Sequence, residues 1–125
     1  MSKVRYVHGG TEKHTQIITT GRMDRKFHAY HRYEIYRKSR YGRNGMDPFL
    51  VICLQYGHVQ EVGVNGCSNE DLLAIVLDRL LCLQEGKFPC DENESAITAV
   101  KLALVYLNSR IADREKRGVE GQNKP

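Results

Sequence analysis

The chain has 125 residues and a mass of 14.3 kDa, which is the size of a single domain. Hydrophobic residues make up 41% and charged residues 27%, a globular balance that excludes a wholly disordered protein. There is no apolar run of about 18 residues and no apolar signal-peptide core, so we expect neither a membrane span nor secretion.

The net charge of +4 is unevenly distributed along the chain. Residues 1–47 contain eleven Lys and Arg against four Asp and Glu, whereas residues 48–125 contain eight against eleven. A basic front half favours an anionic partner, although a solvated basic face that only aids solubility has the same composition.

The front half has the alternating and β-branched pattern of strands. Five strand segments are predicted, at residues 3–7, 15–20, 27–38, 49–56 and 58–62. Residues 49–56 are the most apolar of these, so we expect this strand at the centre of the sheet. Glycine and asparagine at residues 63–66 predict a turn.

The back half changes to the three-to-four spacing of a buried helix face. Ser68 followed by Asp71 predicts a capping box at the start of a first helix, which Gly86 ends. Residues 89–91 begin a second helix, with a capping box predicted at Asp91 and Glu94. This helix should run to about Arg117 and be roughly 40 Å long.

These elements predict an α+β fold, an N-terminal antiparallel β meander followed by a C-terminal two-helix hairpin. We expect one domain over residues 1–125, with a β-rich basic part at 1–66, the hairpin at 67–118 and a flexible tail at 119–125. The apolar helix faces exceed what a thin sheet can cover, which favours a homo-oligomer.

Catalytic and metal-binding patterns are absent from the sequence. There is no nucleophile elbow, phosphate-binding loop, zinc-protease motif or dinucleotide fingerprint. Cys53 and His58 are five residues apart, and on a strand this spacing places them on opposite faces. The four cysteines form no CxxC pair, so we expect free thiols, no metal site, no cofactor and no enzymatic activity.

A pattern typical of anion binding lies in the second helix. Arg110 and Arg114 are four residues apart and share one helix face, with Asp113 and Arg117 close by. Two guanidinium groups on one face suit two phosphates, although arginine at a helix C-terminus also complements the helix dipole.

The turn between the helices supplies the other candidate binding residues. Leu83 and Phe88 offer apolar surface, and Asn93 offers an amide. Asn93 lies at the start of the second helix, where helix capping is an alternative role.

A second pattern interleaves aromatic and basic side chains in the front half. Such a stretch can stack bases and hold phosphates, which predicts a single-strand nucleic-acid-binding protein as the alternative function. A meander with half of its tyrosines in the core has the same spacing. The residues concerned are Tyr30, His31, Arg32, Tyr33, Tyr36, Arg37, Lys38, Arg40, Tyr41 and Arg43.

Three blocks in the back two-thirds of the chain resemble a known family. They are LQYGHVQEVGVNGCSNEDLLAIVLDRL, FPCDENESAI and RIADREKRGVEG, and they occur in the order and at the spacing of the phage Thoeris anti-defence proteins of the first described type. The resemblance covers roughly residues 50–121. Residues 1–49 match this family only in their basic, strand-like character.

The resemblance implies a sponge that binds immune signalling nucleotides without cleaving them, in the cytoplasm of the infected bacterial host. The implied ligands are cyclic ADP-ribose isomers such as glycocyclic ADP-ribose, and for some members cyclic di- or trinucleotides at a separate site. The implied assembly is a dimer, and in some members a hexamer.

The family motif also implies a residue-level ligand site. It maps onto Asn93, Arg110 and Arg114, with Leu83 at a position where the family has an aromatic residue. Leucine can contact a base but cannot stack on it, a difference of about 1 kcal/mol. Phe88 is the nearby aromatic side chain that could take over this contact.

Overall fold

The computed structural model describes residues 2–4, 13–38 and 47–116. Its strands are β1 (Ser2–Lys3), β2 (Thr15–Thr19), β3 (Arg32–Arg37) and β4 (Leu50–Cys53). Its helices are α1 (Val59–Val62), α2 (Asn69–Glu85) and α3 (Asp91–Lys116). Antiparallel strands followed by helices confirm the predicted α+β class.

The chain divides into two compact units, Met1–Tyr56 and Gly57–Pro125. This boundary lies ten residues before the predicted change from β-rich to helical structure at residue 66. The expectation that residues 1–125 form one domain stays a prediction. The expected tail at residues 119–125 lies outside the described residues, as do Arg117, Gly118 and residues 5–7 of the first predicted strand.

The first unit contains one antiparallel sheet with the strand order β1-β2-β3-β4. Ile18 on β2 is 2% exposed and lies opposite Glu34 on β3. The buried Glu34 carboxylate accepts a 2.6 Å hydrogen bond from the Tyr36 hydroxyl and a 3.1 Å contact from the Arg32 guanidinium. These partners offset the desolvation of a charge that would otherwise be costly to bury.

The expectation that the most apolar strand lies at the centre of the sheet is wrong. β4 pairs with β3 and is an edge strand among the described residues, while β2 and β3 occupy the middle. Phe49, Leu50 and Val51 are exposed. An apolar composition indicates that side chains need cover, and it does not specify which strand receives that cover from its own chain.

The strand predicted at residues 58–62 is instead helix α1. The N–H groups of Glu61 and Val62 both donate to the His58 carbonyl at 2.9 Å, as in a helical turn. Gly57 and Gly63 flank this turn with positive φ angles, a conformation that interrupts a strand and favours glycine. Five alternating residues between two such glycines are too few to distinguish the two structures.

The long strand predicted at residues 27–38 is only partly correct. Its second half forms β3, but residues 25–28 form a tight turn closed by a bridge between Asp24 and Ala29. The Asp24 carboxylate stabilises this turn, because it accepts a 3.0 Å hydrogen bond from the Lys26 backbone N–H and lies 3.3 Å from His31 Nε2. The centre of the His31 ring in turn lies 4.1 Å from the centre of the Tyr56 ring.

The second unit contains the predicted hairpin of α2 packed on α3. The capping box at Ser68 is confirmed, since its hydroxyl accepts from Asp71 N–H and the Asp71 carboxylate accepts from Ser68 N–H. The second capping box is wrong in its detail. α3 begins at Asp91, and the preceding Cys90 caps it by accepting a 3.4 Å hydrogen bond from Asn93 N–H at its sulfur.

The hairpin leaves much of its apolar surface uncovered within the described chain. Ile97 is the buried apolar side chain of α3, and α2 has no fully buried residue. The large apolar side chains that stay exposed on the two helices are Ile75, Val76, Leu83, Leu102, Val105 and Tyr106. This surface is what the expectation of a homo-oligomer requires, and the oligomer itself stays a prediction.

The turn at Asp24 predicts a pH-dependent stability. Burial alone would raise the Asp24 pKa, but hydrogen bonds from the Lys26 backbone and from His31 outweigh it and hold the pKa below the ordinary value of 3.8. The carboxylate therefore stabilises the fold above pH 3.8, and this contribution is lost as the pH falls through the lowered pKa.

Asp24→Asn should therefore lower the urea midpoint at neutral pH, and the difference from wild type should narrow when the pH is lowered below 3.8. Asp47→Asn, which removes an exposed carboxylate elsewhere, is the matched control. An equal difference at both pH values would contradict the role given to the charge.

Candidate functional site

The predicted site residues lie at the two ends of one long helix. Asn93 is in the first turn of α3, whereas Arg110 and Arg114 are near its last residue, Lys116. Asn93 and Arg110 are seventeen residues apart, which corresponds to about 26 Å along the helix axis. A small-molecule pocket of about 300–1,000 Å³ is only on the order of 10 Å across, so one chain does not bring these residues into one pocket.

The first group of site residues lies where α2 turns into α3. Leu83 is in the last turn of α2 and is 48% exposed, and Phe88 in the connecting loop is 83% exposed. Asn93 is half-buried, and its side-chain amide has no hydrogen-bond partner among the described residues. This end of the hairpin therefore presents an apolar wall beside an available amide, and Cys90 rather than Asn93 carries the capping role.

The second group, at the C-terminal end of α3, contains two arginines in different environments. Arg110 is exposed, and within the described ranges its side chain makes no ion pair or hydrogen bond. Arg114 lies one turn further on, is 9% exposed and is already engaged in interactions, as is Asp113. Only Arg110 therefore has the exposed, unengaged guanidinium that the sequence predicts for both arginines.

The charges of α3 separate along its length. Asp91, Glu92 and Glu94 occupy the first turn, and Arg114 and Lys116 occupy the last. Each set complements the helix dipole at its own end. The acidic first turn disfavours a phosphate next to Asn93, so this end suits the neutral parts of a nucleotide and the arginine end suits its phosphates.

A contact that the sequence analysis missed orders the loop between the helices. The Gln84 side-chain amide donates to the Cys90 carbonyl at 3.0 Å, and its oxygen accepts from Cys90 N–H at 3.0 Å. A glutamine near a helix end gives no sequence signal for such a contact, because its partner is a backbone six residues away.

The aromatic and basic stretch of the front half is used largely in packing. Tyr36 is 9% exposed with its hydroxyl bonded to Glu34, and Tyr30 and Tyr33 are half-buried. The Arg37 guanidinium lies 5.7 Å from the Phe49 ring centre. Arg40, Tyr41 and Arg43 are outside the described residues. These contacts favour the structural interpretation of the stretch over base stacking.

Metal-binding groups, thiols and membrane-spanning segments are the remaining features that bear on function. Within residues 2–4, 13–38 and 47–116, no group of three His, Cys, Asp or Glu side chains could hold a metal ion. All four cysteines are described and carry free thiols. None of the described helices is long and apolar enough to cross a membrane.

Comparisons with known proteins place the helical hairpin in a described family. The model of the Acb2/Tad1 hairpin domain family matches residues 46–112, more than half of the chain. This match contains Leu83, Phe88, Asn93 and Arg110 and ends two residues before Arg114. The chain is also 36% identical over 127 aligned positions to Thoeris anti-defense 1 of Bacillus phage SBSphiJ7, covering 87% of this chain and 89% of that protein.

Proposed function

Because this chain belongs to the Acb2/Tad1 hairpin domain family, we propose that it is a phage anti-defence protein that sequesters signalling nucleotides of the bacterial immune response. It acts in the cytoplasm of the infected host and lowers the free messenger concentration by binding alone. No bond is broken, so no nucleophile, base or metal is needed. The proposed ligands are cyclic ADP-ribose isomers such as glycocyclic ADP-ribose.

The observation that carries this proposal is the pair of unengaged polar groups at opposite ends of α3. The Asn93 amide and the Arg110 guanidinium both lack partners within the described residues, and each lies beside exposed surface. Arg110, with Arg114 behind it, neutralises the pyrophosphate of the ligand through bidentate hydrogen bonds. Asn93 bonds the sugar or base, and Leu83 forms an apolar wall against the base.

A ligand can reach both groups when two copies of the chain share it. In an antiparallel pair of α3 helices, the acidic first turn of one copy faces the basic last turn of the other, which is electrostatically favourable. Residues 102 and 103 lie midway between Asn93 and the segment 110–114 that carries the two arginines. Leu102 at this midpoint is 51% exposed. A two-fold axis at this point buries apolar surface and forms two identical sites, each from both copies.

Competition with an immune receptor sets the affinity that the protein needs. A nanomolar dissociation constant corresponds to about −12 kcal/mol. A site enclosed between two subunits excludes water from the phosphates and strengthens their interaction with arginine. The family resemblance also implies binding of cyclic di- or trinucleotides at a separate site, which the ligand-retention assay described below can test. It further implies assembly into a hexamer, which a measurement of the mass in solution can test.

The ligand-retention assay measures the central property of a sponge. The protein is incubated with glycocyclic ADP-ribose, freed of unbound ligand and heat-denatured, and the released compound is identified by mass spectrometry. Arg110→Ala should weaken binding by about 10–100-fold, since a hydrogen bond to a charged group contributes about 1.5–3 kcal/mol. Because Arg110 is exposed, this change should leave the fold intact.

Arg22→Ala is the matched control for this assay, because it removes an exposed arginine from the first unit, outside the hairpin. It should retain as much ligand as wild type. A chemically altered ligand would show an enzyme and contradict sequestration. Equal retention by wild type and Arg110→Ala would place the site elsewhere.

A substitution at Leu83 is expected to increase the affinity for the ligand. Replacement by phenylalanine restores the aromatic residue typical of the family, and the half-exposed position has room for a ring. Base stacking is stronger than contact with leucine by about 1 kcal/mol, so Leu83→Phe should tighten binding about fivefold by calorimetry. Leu83→Met, similar in volume but unable to stack, should bind as wild type does. Unchanged binding by the phenylalanine variant would remove Leu83 from the site.

A further inference from the structure

The loop between α2 and α3 has one dominant internal contact. Gln84 uses both polar atoms of its side chain on a single residue, donating to the Cys90 carbonyl and accepting from the Cys90 N–H, each at 3.0 Å. Among the described residues, the other hydrogen bond inside the loop is the 3.2 Å contact from Gly86 N–H to the Leu83 carbonyl. Within the described ranges, residues 87–89 make no side-chain hydrogen bond or ion pair, so the Gln84 contact with Cys90 is what joins the far end of this loop to α2.

Cys90 transmits this contact to the start of α3. Its carbonyl accepts the helical hydrogen bond of Glu94 N–H at 3.2 Å, and its sulfur accepts from Asn93 N–H at 3.4 Å. Hydrogen bonds to Cys90 therefore fix the position of the first turn of α3. The Gln84 side chain in turn fixes the position of Cys90 relative to the last turn of α2. A bidentate amide contact with one peptide unit fixes both distance and orientation.

We propose that Gln84 is a positioning residue for the ligand site. Gln84 follows Leu83 in the chain, so the same turn of α2 carries the apolar wall and the group that orders the loop. Through Cys90 it sets where the Asn93 amide lies relative to Leu83. The inference rests on the proposed function, since it concerns that site, and Gln84 is not assigned any contact with the ligand.

Pre-ordering has a defined consequence for binding. When the binding-competent loop is only partly populated, the apparent affinity falls in proportion to that population. Removal of two neutral hydrogen bonds is expected to weaken binding about tenfold. The loss should appear mainly in the association rate, because the contacts in the bound complex are unchanged.

The test compares Gln84→Met, which keeps the side-chain length and removes both hydrogen bonds, with Gln84→Glu, which keeps only the acceptor. Glu85→Gln, an exposed change one residue along, is the matched control. Binding rates for glycocyclic ADP-ribose are measured together with amide hydrogen exchange of Cys90 and the urea midpoint. We expect faster Cys90 exchange, about tenfold slower association for Gln84→Met, a smaller effect for Gln84→Glu and none for Glu85→Gln.

The readouts separate failure of this assignment from failure of the proposed function. Faster Cys90 exchange with unchanged association would overturn the positioning role while sequestration stands. A loss of affinity that follows only a lowered urea midpoint would show a general structural role and also overturn it. If the wild type binds no cyclic ADP-ribose isomer, both the proposed function and the assignment fail, even where exchange shows the loop contact intact.

Discussion

The stiffness of α3 is the constraint on which the rest of this structure depends. A helix of 26 residues keeps the distance between its two ends fixed at close to 1.5 Å per residue. The amide at one end and the guanidinium at the other therefore cannot meet within one chain. A ligand that needs both must be held by two copies, so the proposed binding function and the proposed oligomer are one requirement.

The composition of the hairpin is consistent with this requirement. The exposed apolar side chains of α3, Leu102, Val105 and Tyr106, lie between its two ends, where a second copy would cover them. The opposite charges at the ends of α3 favour an antiparallel partner over a parallel one. The same surface would be a liability in a monomer, because few of the described side chains are deeply buried.

The sequence was most informative where a local rule determines the structure. The Ser68 capping box, the stop at Gly86 and the start of α3 within residues 89–91 follow from hydrogen bonds and spacing within a few residues, and all three were predicted. The order of β4 in the sheet was not predictable in this way. The order of strands in a sheet depends on contacts between segments that are distant in the sequence. An apolar strand can therefore lie at the edge of the sheet, provided that its side chains are covered by a surface outside that sheet.

The candidate site shows the same difference between features that local sequence rules predict and features that depend on tertiary contacts. Helical spacing placed Arg110 and Arg114 on one face, but spacing says nothing of the environment that leaves one exposed and the other 9% exposed. Cys90 replaces Asp91 as the cap because its sulfur reaches the Asn93 N–H, a weak acceptor that sequence rules rank low. The Gln84 contact joins a side chain to a backbone across a loop, which no periodicity encodes.

The central claim is that each site takes Asn93 from one copy and Arg110 from another. The most direct measurement is ligand retention by a mixture of Asn93→Ala and Arg110→Ala chains, co-expressed with different tags and compared with each variant alone. Each variant alone should retain little ligand, while random pairing should restore about one quarter of the wild-type capacity, since half of the dimers then hold one intact site. A mixture that retains no more than the separate variants would contradict a shared site.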